Sequence, residues 1–268
     1  MTPLLEIRDL YTWYPIRGGY FGRTRGHVRA VDGVSLRVAA GETVGLVGES
    51  GCGKSTLART ILLLEKPQAG SVRIDGRDIA TLDAAERRAY RRTVQVVFQD
   101  PFASLNPRHT ILDALTEAPL VHGLVDRAGR RALASRLLAD VGLGDEALDR
   151  YPHAFSGGQR QRICIARALA LQPRLLICDE AVSALDLSVR AQILNLLAEL
   201  RAARGLAYLF ITHDLGVVRH LADRIAVMRR GKIVESAPAE AIFDTPQHPY
   251  TRELLAAVPA APAVARKT

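Results

Sequence analysis

Long apolar runs are missing from this chain of 268 residues. None approaches the roughly 18 residues that crossing a bilayer needs. The longest, Leu254 to Ala265, is interrupted by Pro259 and Pro262. The opening MTPLLEIRDL carries Glu6 and Asp9 and lacks a basic start followed by an apolar stretch, so no signal peptide is expected. A soluble intracellular chain is the expectation. Cysteine is also scarce. Cys52, Cys164 and Cys178 are odd in number and lack metal-ligand spacing, which argues against a disulfide framework and fits reduced thiols. Internal repeats, paired Cys-x-x-Cys elements and long heptad runs are absent as well. Hydrophobic residues at 48% and charged residues at 24% match ordinary globular usage, which excludes disordered and low-complexity classes.

What is present begins with charge. Thirty-six Lys and Arg against 28 Asp and Glu give a net charge of +8, suited to phosphate ligands, nucleic acid or an anionic membrane surface. Scattered charge more often reflects solvated helix faces. Two clusters exceed that background: Arg17, Arg23, Arg25 and Arg29, and Arg87, Arg88, Arg91 and Arg92.

Short strand-like runs alternate with longer helical ones, which predicts an α/β fold with a largely parallel sheet. Val34, Leu36 and Val38 alternate with polar residues as a half-buried strand does. Residues 43–47 form an apolar run that ends in a glycine-rich turn, and residues 57–64 read as a helix. Residues 175–178, 207–211 and 225–228 are further buried-strand candidates. Between Phe102 and Pro173 helical patterns dominate (residues 112–120, 130–141 and 159–171), as in a helical insertion at about 101–173. The chain reads as one domain over residues 1–259, followed by an Ala/Pro tail at 260–268 expected to be disordered.

The residues that carry chemistry follow the run at 43–47. Gly48, Glu49, Ser50, Gly51, Cys52, Gly53, Lys54 and Ser55 match G-x-x-x-x-G-K-[ST], with Thr56 next, after a strand and opening a helix. The glycines let the backbone curl so that successive N–H groups converge on one anion, and the helix start adds its positive end. Lys54 is placed to reach the β- and γ-phosphates, and the Ser55 hydroxyl to ligate Mg²⁺. The run Leu175–Cys178 ends in Asp179 and Glu180. Asp179 can hold Mg²⁺, directly or through water, and Glu180 can polarise an attacking water as general base. Phe155, Ser156, Gly157, Gly158 and Gln159 precede an apolar-periodic helix and form a capped start, hence a second anion site.

Two phosphate-binding helix starts with one complete nucleotide pocket resemble the ATP-binding cassette family. Its Leu-Ser-Gly-Gly-Gln signature is matched except for Phe155 in place of Leu, which keeps an apolar anchor. The resemblance implies a P-loop cassette with a RecA-like core of mixed but mainly parallel sheet, an antiparallel β part and an inserted helical subdomain. It implies ATP and Mg²⁺, bound where the signature of one subunit closes over the γ-phosphate held by its partner. Gln99 resembles the family's glutamine that senses Mg²⁺ and water, which adds it to Ser55 and Asp179 as a metal candidate. The run Ser183–Asp186 resembles the loop that meets its counterpart across the dimer, and His213 the γ-phosphate switch. Ala181 departs from the proline common after the glutamate. The family stacks adenine on an aromatic ring upstream of the phosphate loop. The usual place falls near Arg25, and this chain has Tyr14, Tyr20 and Phe21 nearby instead. Tyr14 or Phe21 is the expected partner of the base.

Motors for membrane transporters share this core with machines acting on DNA or ribosomes. Coiled-coil arms, zinc modules or a second cassette would mark the latter, and none is found, so no nucleic-acid partner is expected. Residues 22–33, 99–107 and 242–251 resemble the dipeptide, oligopeptide and nickel importer ATPases, closest to the second ATPase of such systems. That resemblance runs from about Leu4 to Pro259. It implies a peripheral subunit on the cytoplasmic face of the membrane. The implied partners are a second, usually different, ATPase and two transmembrane permeases, served by an extracytoplasmic binding protein. The cysteine-rich tail of some members is missing, and the run His248–Thr251 has no chemistry assigned from sequence.

Overall fold

The structure, a computed structural model, describes residues 3–18 and 23–257. Tyr20, Phe21 and the tail at 260–268 lie outside the described residues. In chain order the elements are β1 (Leu5–Gly18), β2 (Arg23–Val38), β3 (Thr43–Val47), α1 (Lys54–Ile61), β4 (Ala69–Ile74), β5 (Arg77–Asp78) and α2 (Ala84–Thr93). There follow β6 (Val94–Val97), α3 (Pro101–Ser104), α4 (Ile111–Val121), α5 (Arg130–Asp140), α6 (Gly157–Leu169) and β7 (Leu175–Asp179). The chain continues through α7 (Leu187–Arg204), β8 (Ala207–Thr212), α8 (Leu215–Leu221), β9 (Arg224–Arg229), β10 (Lys232–Pro238), α9 (Ala239–Asp244) and α10 (Pro249–Ala256).

Two sheets organise these elements. One is antiparallel with order β2-β1-β4-β5; the other has order β10-β9-β3-β8-β7-β6. In the second, β9, β3, β8, β7 and β6 run parallel and only β10 is antiparallel. The central strands are apolar at nearly every position because both of their faces are covered. Strand alternation then sorts side chains into two cores. Val44 and Leu46, Leu175 and Ile177, and Leu209 and Ile211 enter the core shared with the antiparallel sheet. Val47, Leu176 and Cys178, Tyr208 and Phe210, and Ile225 and Val227 enter the other core, with the helices. Gly45 lies on that helical side, and a Cβ there would come within 2.9 Å of Val218, so α8 packs directly onto β3.

Helices α3 to α6 all lie between β6 and β7 in the chain, and α4, α5 and α6 contribute Ile111, Leu115, Leu138 and Ile163 to the helical core. The strand expected at 34–38 is the end of a much longer β2, and Tyr11, Trp13 and Tyr14 before it lie in β1, paired against β2. Register shifts at Ile7/Leu10, Thr12/Trp13 and Ile16/Arg17 break the period-two pattern, which is why alternation alone misses this strand pair.

Candidate nucleotide site

The parallel strands align their carboxyl ends. Val47 of β3 pairs with Thr212 of β8, Ile211 with Asp179 of β7, and Cys178 with Val97 of β6. The segments leaving these strands therefore meet along one edge of the sheet, where open α/β sheets bind ligands.

The first is the loop from Gly48 to Thr56. A Cβ on Gly48 would lie 2.1 Å from the Met228 carbonyl oxygen, and one on Gly53 1.9 Å from that of Ala30. Gly53 also adopts φ 113°, a region that L side chains rarely enter. The strands behind the loop thus demand glycine at both positions. Glu49, Ser50, Gly51 and Ser55 are exposed, Gly53 and Thr56 half-buried, and Cys52 buried. Burial pushes the Cys52 thiol up, opposed chiefly by the Lys54 charge.

Lys54 is only 4% exposed. Its Nζ donates to the carbonyls of Gly48 at 2.7 Å and Glu49 at 2.8 Å. These partners are neutral carbonyls, so the hydrogen bonds place no counter-charge on Lys54 Nζ. Helix α1 starts without a side-chain cap and without an acidic residue in its first turn. Its leading N–H groups stay at the positive end of the helix dipole for a ligand to satisfy. By contrast, α2, α6, α8 and α10 are all capped by side chains.

Ser55 Oγ donates to Asp179 Oδ1 at 3.2 Å. Burial raises the Asp179 carboxyl above its ordinary pKa, and the Ser55 hydrogen bond is the strongest influence in the other direction. Gln99, two residues past β6, lines one pocket with Ser55 and Asp179. The three metal candidates are thus brought together. They offer a hydroxyl, a carboxylate and an amide beside open space. Among the described residues no group of three or more His, Cys, Asp or Glu could hold a metal. Few, hard oxygen donors beside a phosphate loop suit Mg²⁺, which keeps waters and phosphate oxygens in its shell.

Glu180 takes φ 50°, a strained position that the surroundings enforce. Its N–H donates to the Ile211 carbonyl at 2.9 Å, and Ser183 Oγ donates to the Glu180 carbonyl at 2.9 Å. The side chain leaves toward His213, whose Nδ1 lies 3.3 Å from Glu180 Oε1. Arg190 of α7 pairs with Asp214 at 3.1 Å and donates to the Leu185 carbonyl at 3.3 Å, joining the loop at 183–186 to the His213 turn.

The second helix start is built differently. Ser156 Oγ accepts from the Gln159 N–H at 3.3 Å, while Gln159 Oε1 accepts from the Ser156 N–H at 3.0 Å, a reciprocal capping box. Phe155 is buried and anchors the turn. A Cβ on Gly158 would come 2.5 Å from Val189, so this glycine lets α6 approach α7. A Cβ on Gly157 would meet nothing within 4 Å. Among the described residues no hydrogen bond connects Ser156–Gln159 with Gly48–Thr56. A stack of side chains does tie α6 to the Gln99 segment: the Arg160 guanidinium lies 3.6 Å from the Phe102 ring centroid.

Tyr14 sits on β1 opposite Val28 of β2, on the strand pair that also supplies the Ala30 carbonyl behind Gly53. Phe21 lies outside the described residues. Sequence reasoning missed Tyr250, whose Oη accepts the Glu49 N–H at 3.1 Å. The unassigned His-Pro-Tyr-Thr run was its only signal.

Residues 31–183 match the ABC transporter family. The chain belongs to that family. Residues 234–268 of the cassette match the C-terminal region of oligopeptide/dipeptide transporters. The cassette is 53% identical over 259 residues to the glutathione import ATP-binding protein GsiA of Escherichia coli (strain K12), covering 97% of this chain and 42% of that protein. It therefore spans less than half of that relative. It is 51% identical over 257 residues to the oligopeptide transport ATP-binding protein AppF of Bacillus subtilis (strain 168), covering 96% of this chain and 78% of that one. Among solved structures, it resembles the dimeric cassette MJ0796 bound to ADP and Pi in a post-hydrolysis state. The TM-score is 0.76 and the identity 30%, over 88% of this chain and 98% of that one. It also resembles cbiO1 of Clostridium perfringens, part of the transporter complex cbiONQ, with TM-score 0.77 and 26% identity over 91% and 92% of the two chains. The fold is the α/β cassette with mixed parallel and antiparallel sheets. These relatives lend nothing to the alternative of action on nucleic acid or ribosomes.

Proposed function

We propose that the cassette hydrolyses ATP as the motor subunit of an importer for peptides or a related small solute such as glutathione or nickel. The match of residues 234–268 to the oligopeptide/dipeptide transporter C-terminal region carries the choice of importer. Lys54, the uncapped first turn of α1 and the loop amides from Gly48 to Thr56 bind the triphosphate. Ser55, Asp179 and Gln99 would hold Mg²⁺, which supplies charge neutralisation at the phosphates. Glu180 acts as general base toward water, held in its strained turn and next to His213, which orients the γ-phosphate side. Tyr14 or Phe21 stacks on adenine. Ser156, Gly157 and Gln159 form an outward edge, with Gly158 set against α7, and this Ser156–Gln159 start serves the nucleotide of a second cassette, a different ATPase in the heterodimer reading. Two permease subunits and an extracytoplasmic binding protein complete the assembly.

In this reading the cassette is a peripheral subunit on the cytoplasmic face of the membrane. Among the described residues no helix is long and apolar enough to cross a membrane. The permease contact falls on the helical segment next to Gln99. Phe98 and Phe102 are exposed there at 37% and 63%, large apolar side chains that a partner would cover. Photo-crosslinkers at Phe102 or His109 should capture an integral membrane protein in native membranes. Capture only from positions 260–268 would contradict the proposal.

A further inference from the structure

We infer that Tyr250 is a positioning residue for nucleotide binding, its phenol holding the first peptide group of the phosphate loop from the side opposite Lys54. The inference rests on Gly48–Thr56 being that loop. The Glu49 N–H donates to Tyr250 Oη at 3.1 Å, across 201 positions of sequence. The other end of the same peptide group, the Gly48 carbonyl, accepts from Lys54 Nζ at 2.7 Å. One peptide plane is gripped at both ends, by an ammonium on its oxygen and a phenol on its N–H. Its orientation sets where the loop leaves β3 and where the following amides point. Without the phenol, a part-buried N–H would lose its acceptor and the plane would be free to turn about the Lys54 contact.

The phenol is itself held in place. Tyr250 is 1% exposed, and its ring lies under the Arg229 guanidinium, 4.4 Å from the centroid. The turn that delivers it is clamped by Glu235 of β10. That carboxylate accepts from the N–H of Gln247 at 2.8 Å, from the N–H of His248 at 3.0 Å and from the Thr251 hydroxyl. Burial pushes the Glu235 carboxyl up, and these donors outweigh it and hold it below its ordinary value. His248 Nδ1 caps α10 by accepting the Tyr250 N–H at 3.1 Å. Strand β10 pairs with β9, whose Met228 carbonyl backs Gly48. The run His248–Thr251 is therefore a strut between the β9–β10 edge and the phosphate loop, within the region that matches the peptide-transporter C-terminus.

The Tyr250→Phe variant keeps the ring and its Arg229 contact and removes only the acceptor. In the full chain, KM for ATP should rise roughly tenfold, the order set by one amide left without its acceptor. The accompanying fall in kcat at saturating ATP should be no more than about twofold, because the hydroxyl touches no reacting atom. Glu235→Gln weakens the clamp and should raise KM in the same direction by a smaller factor. It decides the matter if Tyr250→Phe does not fold. An unchanged KM in folded Tyr250→Phe overturns the inference, whether or not Tm falls, and so does an unchanged KM in Glu235→Gln when only that variant folds. Lys54→Ala tells the two failures apart. If it retains nucleotide binding, the phosphate-loop reading fails; if it loses binding while Tyr250→Phe matches the parent, only the role of Tyr250 fails.

Discussion

The two glycine-bearing helix starts of the cassette, at α1 and at α6, share a sequence flavour and differ in what surrounds them. At α1 the loop is enclosed by its own chain. The Met228 and Ala30 carbonyls crowd Gly48 and Gly53, Lys54 folds back on two loop carbonyls, and Ser55 meets Asp179. The helix itself has no cap. At α6 the cap is complete within the chain, Ser156 is exposed, and Gly157 faces empty space. One start leaves its leading N–H groups without a side-chain cap; the other is internally satisfied and presents a bare edge outward. The difference is what the proposed function requires: one half of a composite site enclosed within the cassette, and a complementary half offered to another molecule. The Phe102–Arg160 stack joins the Gln99 segment to α6.

The comparison can be broken at either end. The largest effect is expected at the enclosed end. Lys54→Ala removes the loop's one cationic side chain, and ATPase activity should fall on the order of 10²- to 10³-fold or more with the fold intact by circular dichroism. Near-parental hydrolysis would show that the anion lies elsewhere. A smaller, sharper contrast pits two glycines against each other. Gly53→Ala must displace the Ala30 carbonyl and adopt a disfavoured φ, which should lower Tm by several degrees, consistent with about 1–3 kcal/mol of strain. Gly157→Ala meets no atom of its own chain, so Tm should stay within about 2 °C, since such surface changes are worth about 0.5 kcal/mol or less. ATPase activity should nevertheless fall in Gly157→Ala, because the added methyl occupies the outward edge. Equal loss of Tm in both variants would erase the distinction.

Much of this contrast was legible in the sequence, for physical reasons. The phosphate loop needs glycine, lysine and serine in fixed order between a strand and a helix, so residues 48–55 announce themselves. Asp179 and Glu180 follow a run that is apolar at every position because β7 is buried on both faces, and the Ser156–Gln159 capping box is a local pattern. What could not be read depends on distant partners. The shifted register between β1 and β2 hides a strand pair whose bulges destroy alternation. Tyr250 reaches Glu49 across the whole fold, and no local pattern encodes that hydrogen bond. The division of labour between Gly157 and Gly158 is likewise invisible in a repeated Gly-Gly. It emerges only when α7 brings Val189 against one of them.

The claim that two half-sites come from two molecules is tested most directly by the Glu180→Gln cassette, alone or mixed with its natural partner ATPase, on a sizing column. The substitution preserves shape and hydrogen bonding and removes basicity, so hydrolysis should slow by about 10²- to 10⁴-fold while Mg-ATP binding persists. Unhydrolysed ATP, held by Lys54 of one cassette and by Ser156 and Gly157 of the other, should keep the pair together. The expected result is a dimer with Mg-ATP, a monomer with ADP, and loss of the dimer when Ser156→Arg is added to both subunits. A Glu180→Gln cassette that stays monomeric with its partner at saturating Mg-ATP would contradict the composite site.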